Sequence, residues 1–277
     1  MSHGLDGRPS GPRNYLSRMA QSSVRYEPDG PVRIITIDRP HARNAVDGPT
    51  AMALADAFAE FESDDAALVA ILTGADGTFC AGADLKAIGS GNGNRVERDV
   101  ALAGPLGPTR MTFSKPTIAA VEGYAVAGGL ELAIMCDLRV AARDAVFGVF
   151  CRRWGVPLVD GGSIRLTRML GHSHALDLIL TGRPVSGDEA RLMGLANRLT
   201  EPGEAVAGAL ELAHQLAGFP QRCLRNDRRS SYEQWDLGFA EALARETELG
   251  LEVLVSREAQ EGAARFAAGA GRGGRFT

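Results

Sequence analysis

The sequence of 277 residues is poor in aromatics, at 6%, and has no excess of either charge, with 30 Lys and Arg against 34 Asp and Glu and a formal net charge of −4. Without a basic excess it lacks the electrostatic footprint of a nucleic-acid binder. No run of about 18 apolar residues occurs, so no membrane span is expected. Its four cysteines, Cys80, Cys136, Cys151 and Cys223, lie far apart with no C-x-x-C. That spacing speaks for reduced thiols in a cytoplasmic protein, against a disulfide frame or a zinc site. Five histidines include no H-E-x-x-H, and His172 with His174 reads as the loop at a helix start before it reads as a metal pair. There is no G-x-G-x-x-G after a strand and no P-loop, which argues against dinucleotide and nucleotide-phosphate sites. The first 18 residues are polar and rich in Gly, Pro and Arg, without the apolar centre of a secretory signal. Residues 1–22 are expected to be a disordered tail.

What is present is a chain 45% hydrophobic, long enough for one large core with an appendage. Val32 to Asp38 reads as a strand, and Arg39-Pro40-His41-Ala42-Arg43-Asn44 as a turn. Asp47 before Gly48-Pro49 reads as the capped start of a helix running through Phe61. Ala67 to Thr73 is a second apolar strand, and Gly89 to Leu106 a mobile loop with a short helix. Strands follow at Leu138–Ala142 and Ala145–Phe147, then a loop from Val149 to Val159. Helical segments at Asp160–Leu170 and Ala175–Leu180 are ended by Thr181-Gly182-Arg183-Pro184. A short helix over Asp188–Met193 and a strand over Ala196–Leu199 come next. From Glu204 the pattern is wholly helical, so the chain is expected to divide into a core, 23–204, and a helical region, 205–277.

The chain is organised around Gly123-Tyr124-Ala125-Val126-Ala127-Gly128-Gly129-Leu130-Glu131, which leads from the strand Thr117–Val121 into a helix. Glycines at a helix mouth admit a ligand to the backbone, and the free N–H groups there sit at the positive end of the dipole. Such a place suits an anion or a developing oxyanion. Glu131, set among apolar residues, suits a proton carrier with a raised pKa, or else complements the helix dipole from its first turn. Thr78-Phe79-Cys80-Ala81-Gly82-Ala83-Asp84 repeats the device, a short strand running through glycine into a helix. Two such junctions can each offer one N–H to the same oxygen.

Several motifs in fixed order resemble the crotonase family, the enoyl-CoA hydratases and isomerases. They are Arg39-Pro40 with Arg43-Asn44-Ala45-Val46, and Phe79-Cys80-Ala81-Gly82-Ala83-Asp84-Leu85, then Lys115-Pro116, Gly123 through Leu132, and Cys136-Asp137. Phe147-Gly148, Gly161-Gly162-Ser163 to Leu166, and Gly194-Leu195-Ala196 complete the set. The resemblance spans Val24 to Phe266 and implies an α/β fold: a spiral of ββα repeats with a C-terminal helical trimerisation region. It implies an acyl-CoA thioester substrate, a homotrimer or hexamer, and no cofactor or metal beyond the substrate's coenzyme A. It puts an oxyanion hole at the N–H groups of Ala83 and Gly128, Arg43 at the CoA phosphates or adenine end, and Ala81, Asp84 and Leu85 along adenine and pantetheine. Arg43 is equally well read as a solvated turn residue.

In this resemblance Glu131 matches the first of two glutamates with which the family's hydratases hold and activate water. The second falls at Cys151, whose thiol is a weak donor with an ordinary pKa of about 8.5. Asp160 resembles an aspartate of the dienoyl-CoA isomerases and is the candidate second acid, with an N-cap at the helix of Gly161 as the alternative. Hydration of a 2-enoyl-CoA is the expected activity. Double-bond isomerisation and a non-catalytic acyl-CoA-binding trimer stand beside it.

Overall fold

The computed structural model describes residues 23–271, except residue 89. The expected tail at 1–22 lies outside the described residues, as do 272–277. The strands are β1 (Val24–Asp29), β2 (Val32–Ile37), β3 (Val69–Gly74), β4 (Thr117–Val121), β5 (Tyr124–Val126), β6 (Leu138–Ala142), β7 (Val146–Gly148), β8 (Val185–Ser186) and β9 (Arg198–Thr200). The helices are α1 (Gly48–Ser63), α2 (Leu85–Ile88), α3 (Gly128–Met135), α4 (Gly162–Thr181), α5 (Gly187–Leu192), α6 (Ala205–Ala217), α7 (Gln221–Glu233), α8 (Phe239–Leu254) and α9 (Arg257–Ala267).

Two sheets carry the site. One has six strands in the order β1-β2-β3-β4-β6-β9, the other three in the order β5-β7-β8. All neighbours in the larger sheet are parallel except the β1–β2 hairpin. The inner strands β3 and β4 are therefore nearly continuous runs of buried apolar residues, as parallel strands covered on both faces must be. Each turn of the chain repeats one path. A strand of the larger sheet is followed by an extended piece in a second layer and then by a helix. The repeats are β2–Val46–α1, β3–Cys80–α2, β4–β5–α3 and β6–β7–α4. Bridges Val46 to Ala83 and Cys80 to Ala125 join the second-layer pieces. This is the expected spiral of ββα repeats.

The main core lies between the sheets and helices α1, α3 and α4, where Leu54, Phe58, Phe61, Leu130 and Leu166 are fully buried. The other face of the larger sheet is closed by α6, with Ala205, Ala209, Leu212 and Ala213 packed on Val32, Val69, Ile71, Ile118 and Val140. This helix begins at the division expected at 205. A helix whose apolar stripe lies on the sheet belongs to the core, so the separate helical layer begins after Gly218. Helices α7 and α9 bury no residue fully, and α8 buries only Leu249 and Val253.

Three local details complete the fold. The strand β1 is not among the strands expected from sequence: Val24 and Tyr26 alternate with exposed Arg25 and Glu27, but the run is short and Pro28 sits near its end, as suits an edge strand. The two helices expected after Asp160 are the two halves of α4, parted at Gly171, whose backbone (φ +73°, ψ +165°) is not helical. The short helix expected within 89–106 is a 3₁₀ turn just beyond it, Pro108–Arg110.

Candidate active site

Both strand–glycine–helix junctions meet. A Cβ placed on Gly82 would lie 2.8 Å from the Gly128 nitrogen, and one placed on Gly128 would lie 3.4 Å from the Ala83 nitrogen. Backbone can approach backbone this closely only because both positions are glycine, and Gly82 also has a φ of +97°. Val46 donates its N–H to Gly82 O, and Asp84 donates to Val46 O, both at 2.8 Å. This pairing on either side leaves the Ala83 N–H pointing away from the bridge. Gly128 opens α3, so its N–H has no acceptor within the helix. Neither N–H donates to a described residue. Such a pair can receive one oxygen and stabilise negative charge on it.

Between them stands Ala127, with φ +54° and ψ −124°, a conformation that L side chains rarely adopt. Its N–H is held by Gly148 O at 2.8 Å. Strained backbone of this kind persists only where its surroundings over-determine it.

Glu131 lies one turn along α3 from Gly128 and is buried. Its Oε1 accepts from the backbone N–H groups of Asp160 and Gly162, each at 2.9 Å. Gly162 is glycine for a steric reason: a Cβ there would fall 2.8 to 3.1 Å from the Glu131 carboxyl and Cγ. Burial, and then the charge of Asp160, push the Glu131 carboxyl up to about 7, against the lowering effect of those two hydrogen bonds. Its Oε2 accepts no hydrogen bond from a described residue.

Asp160 is also buried, with its carboxylate turned away from the start of α4. Gly161 is the N-cap residue of that helix, and no side chain caps it. Asp160 Oδ1 instead accepts from the N–H of Leu106 at 3.0 Å and from the hydroxyl of Thr109. Burial pushes its carboxyl up, opposed by the Thr109 and Leu106 bonds. The turn that supplies these donors is closed by reciprocal Gly104 and Gly107 backbone bonds of 2.9 and 2.8 Å. It leaves Leu106 Cδ1 as the nearest neighbour of a Cβ built on Gly128. Cys151 lies in the 3₁₀ turn Phe150–Trp154 and is buried; burial, and next the charge of Glu131, push its thiol up.

The other candidates gather along one edge. Arg43 is exposed in left-handed backbone (φ +54°, ψ +40°), and its carbonyl accepts from Ala81 N–H at 3.1 Å. Leu85 is exposed, and Ala81 and Asp84 are half-buried. The Asp84 carboxylate is engaged: it pairs with Arg39 at 3.1 Å and accepts from Lys86 N–H at 3.1 Å. Arg39 also pairs with Asp47 at 3.0 Å and donates to Ala45 O, which ties the 39–47 turn to the Ala83 junction. No group of three or more potential metal ligands occurs among the described residues.

Arg39 and Arg165 lie within the sequence motifs without a role assigned there, and Leu106 and Thr109 lie in no motif. Arg165 in α4 donates to Asp160 O and to Thr109 O, both at 2.7 Å. Helix α7 braces the far end of α3, where Tyr232 donates to Asp137 Oδ1 at 2.7 Å and Arg228 to Oδ2 at 2.9 Å.

Known proteins resemble this chain along most of its length. Residues 27–269 match the family model described as Enoyl-CoA hydratase/isomerase. An enoyl-CoA hydratase of Mycobacterium tuberculosis is 36% identical over 245 residues, 86% of this chain and 91% of that one. A carnitinyl-CoA dehydratase of Salmonella arizonae is 40% identical over 196 residues, 70% of this chain and 74% of that one. Among solved structures, an enoyl-CoA hydratase from Mycobacterium tuberculosis superposes with a TM-score of 0.83 at 39% identity, covering 90% of this chain and 96% of that one.

Proposed function

The chain belongs to the enoyl-CoA hydratase/isomerase family, and from that premise we propose that it adds water across the double bond of a 2-enoyl-CoA. The observation that carries the reading is the geometry of one short helix. Helix α3 has an unpaired N–H at Gly128, beside the unpaired N–H of Ala83, and a buried carboxylate, Glu131, in its first turn. In this reading the thioester oxygen sits between the two N–H groups, which form the oxyanion hole. Ionised Glu131 takes a proton from water as the water oxygen bonds to the β carbon. The electron pair of the double bond moves onto the α carbon and the thioester oxygen, and the enolate charge is met by the two N–H groups. Glu131 then returns the proton to the α carbon, so H and OH have both been added. A carboxyl titrating near 7 is well matched to both transfers at neutral pH.

With a thiol at position 151, the second acid in this reading is Asp160, whose Oδ2 is available to hold the attacking water. The substrate's nucleotide end lies along Ala81, Asp84 and Leu85, with exposed Arg43 at its phosphates. Asp84 joins that lining as part of a loop held by Arg39, since its carboxylate is already paired. No cofactor or metal enters the chemistry. The C-terminal helices expose Phe239 (86%), Val255 (83%), Phe266 (73%) and Leu254 (62%), and these large apolar side chains support a homotrimer, single or doubled. The four free thiols suit a reducing cytoplasm.

The test is an absorbance assay offering 2-enoyl-CoA, 3-enoyl-CoA and dienoyl-CoA thioesters in parallel. Loss of the conjugated 2-enoyl absorbance with formation of a hydroxyacyl-CoA is the expected result. Turnover confined to 3-enoyl or dienoyl substrates would replace hydration by isomerisation, and acyl-CoA binding without turnover would reduce the protein to a binder.

A further inference from the structure

We propose that Arg165 is a positioning residue for both carboxylates of the site, clasping the two backbone carbonyls whose residues hold them. This rests on the hydratase reading above. The guanidinium donates to Asp160 O and Thr109 O, each at 2.7 Å. Asp160 in turn donates its N–H to Glu131 Oε1, and Thr109 donates its hydroxyl to Asp160 Oδ1. The contacts close a ring. Arg165 fixes the peptide of Asp160 and the turn of Thr109 at once, and these two fix Glu131 and Asp160. No carboxylate among the described residues lies within ion-pair distance of Arg165, so the fork is spent on carbonyls 51 residues apart in sequence. A planar guanidinium can span two fixed acceptors in this way, whereas an ammonium acts as a single point. Gly161 shows how closely the clasp is built: a Cβ there would overlap the Arg165 guanidinium.

The same cation has an electrostatic part. Glu131 faces Asp160, Cys151 and Arg165; Asp160 faces Arg110 and Arg165; and Arg165 itself faces Tyr232 of α7, Cys136 and both carboxylates. The positive charge opposes the upward push on Glu131 and on Asp160, and keeps the ionised form available.

Two substitutions separate the parts. Arg165→Lys keeps the charge and loses the fork. It should lower kcat by about 10²-fold, the scale of a misplacement near 1 Å, with KM for the enoyl-CoA and the pH midpoint of kcat unchanged. Arg165→Met loses both and should lower kcat similarly while moving that midpoint upward. The midpoint has an activity-free reading as well. The melting-temperature difference between Glu131 and Glu131→Gln backgrounds, followed against pH, reports the Glu131 titration and should move upward in Arg165→Met alone. If the Arg165 variants do not fold, Thr109→Val and Thr109→Ser decide: the valine should lose kcat and the serine, which keeps the hydroxyl, should restore it. Wild-type kcat per folded molecule in both Arg165 variants, or equal rates in Thr109→Val and Thr109→Ser, would overturn the inference while Glu131→Gln remained inactive. An active Glu131→Gln would instead overturn the hydratase reading beneath it.

Discussion

The backbone of Asp160 donates its N–H to Glu131 Oε1 at 2.9 Å, while the Asp160 carboxylate points the other way, to Leu106 and Thr109. The two acids are therefore linked through a peptide and not through each other. One oxygen of each is committed to protein donors, and the other accepts no hydrogen bond from a described residue.

This linkage predicts a steep sensitivity at Gly162. A methyl there must displace the Glu131 carboxyl, which sits 2.8 to 3.1 Å from it. Gly162→Ala should cost about 1–3 kcal/mol of stability from overpacking and most of the activity, measured by denaturant unfolding and turnover together.

Gly128→Ala should behave differently. The new methyl would meet Leu106 Cδ1, the end of a flexible side chain, and would stand 3.4 Å from the Ala83 nitrogen. Stability should fall little while turnover collapses, because the methyl crowds the two N–H groups proposed to hold the thioester oxygen. Trimming the neighbour in Gly128→Ala/Leu106→Ala should recover packing but not rate. Equal recovery of both would mean that the N–H pair is not the oxygen's seat.

Glu131 should make stability depend on pH in a defined window. Its carboxyl titrates near 4.5 when unfolded and at about 7 when folded. The folded state therefore holds the extra proton between these values, and stability is lost as pH rises from 4.5 through 7. Glu131→Gln keeps both hydrogen-bond acceptances at Oε1 without titrating. Its stability advantage over wild type should grow across that window to about 3 kcal/mol and then level off, at 1.36 kcal/mol per unit. Melting temperatures at pH 5 and pH 8 check this, and a constant difference would contradict the raised carboxyl.

Ala127→Gly should relieve backbone strain. A non-glycine residue in that region costs about 1–3 kcal/mol, against roughly 0.5–1 kcal/mol for the added freedom of glycine in the unfolded chain. A net gain of about 1 kcal/mol is expected in thermal or denaturant unfolding.

The apolar face of the C-terminal helices should prove to be an interface. Phe239→Glu with Leu251→Glu adds charge to two exposed side chains that line one groove of α7 and α8. Wild type should scatter light as a trimer or its multiple, and the double variant as a smaller species.

Much of the site was legible because its parts are local. Gly128, Gly129 and Glu131 lie within one turn of each other, and Gly82 and Ala83 follow the same strand-to-helix rule, so spacing alone reveals both junctions. Arg165, Thr109 and Leu106 were not legible, since an arginine in an amphipathic helix reads as a solvated face until the chain brings Thr109 and Asp160 beside it. Asp160 was found as a candidate acid, yet its neighbours were not, because its donors come from a turn more than 50 residues earlier. Helix α6 shows the same limit for the fold. Its apolar stripe announces a buried face, but nothing in the stripe says that the larger sheet covers it.

Whether Glu131 carries the proton is read most directly from the steady-state hydration of a short 2-enoyl-CoA by wild type and Glu131→Gln, with acyl-CoA affinity measured in parallel. A fall in kcat of about 10² to 10⁴ is expected with affinity nearly unchanged, since the groups proposed to hold the thioester oxygen are backbone N–H groups. Wild-type turnover by Glu131→Gln would contradict it.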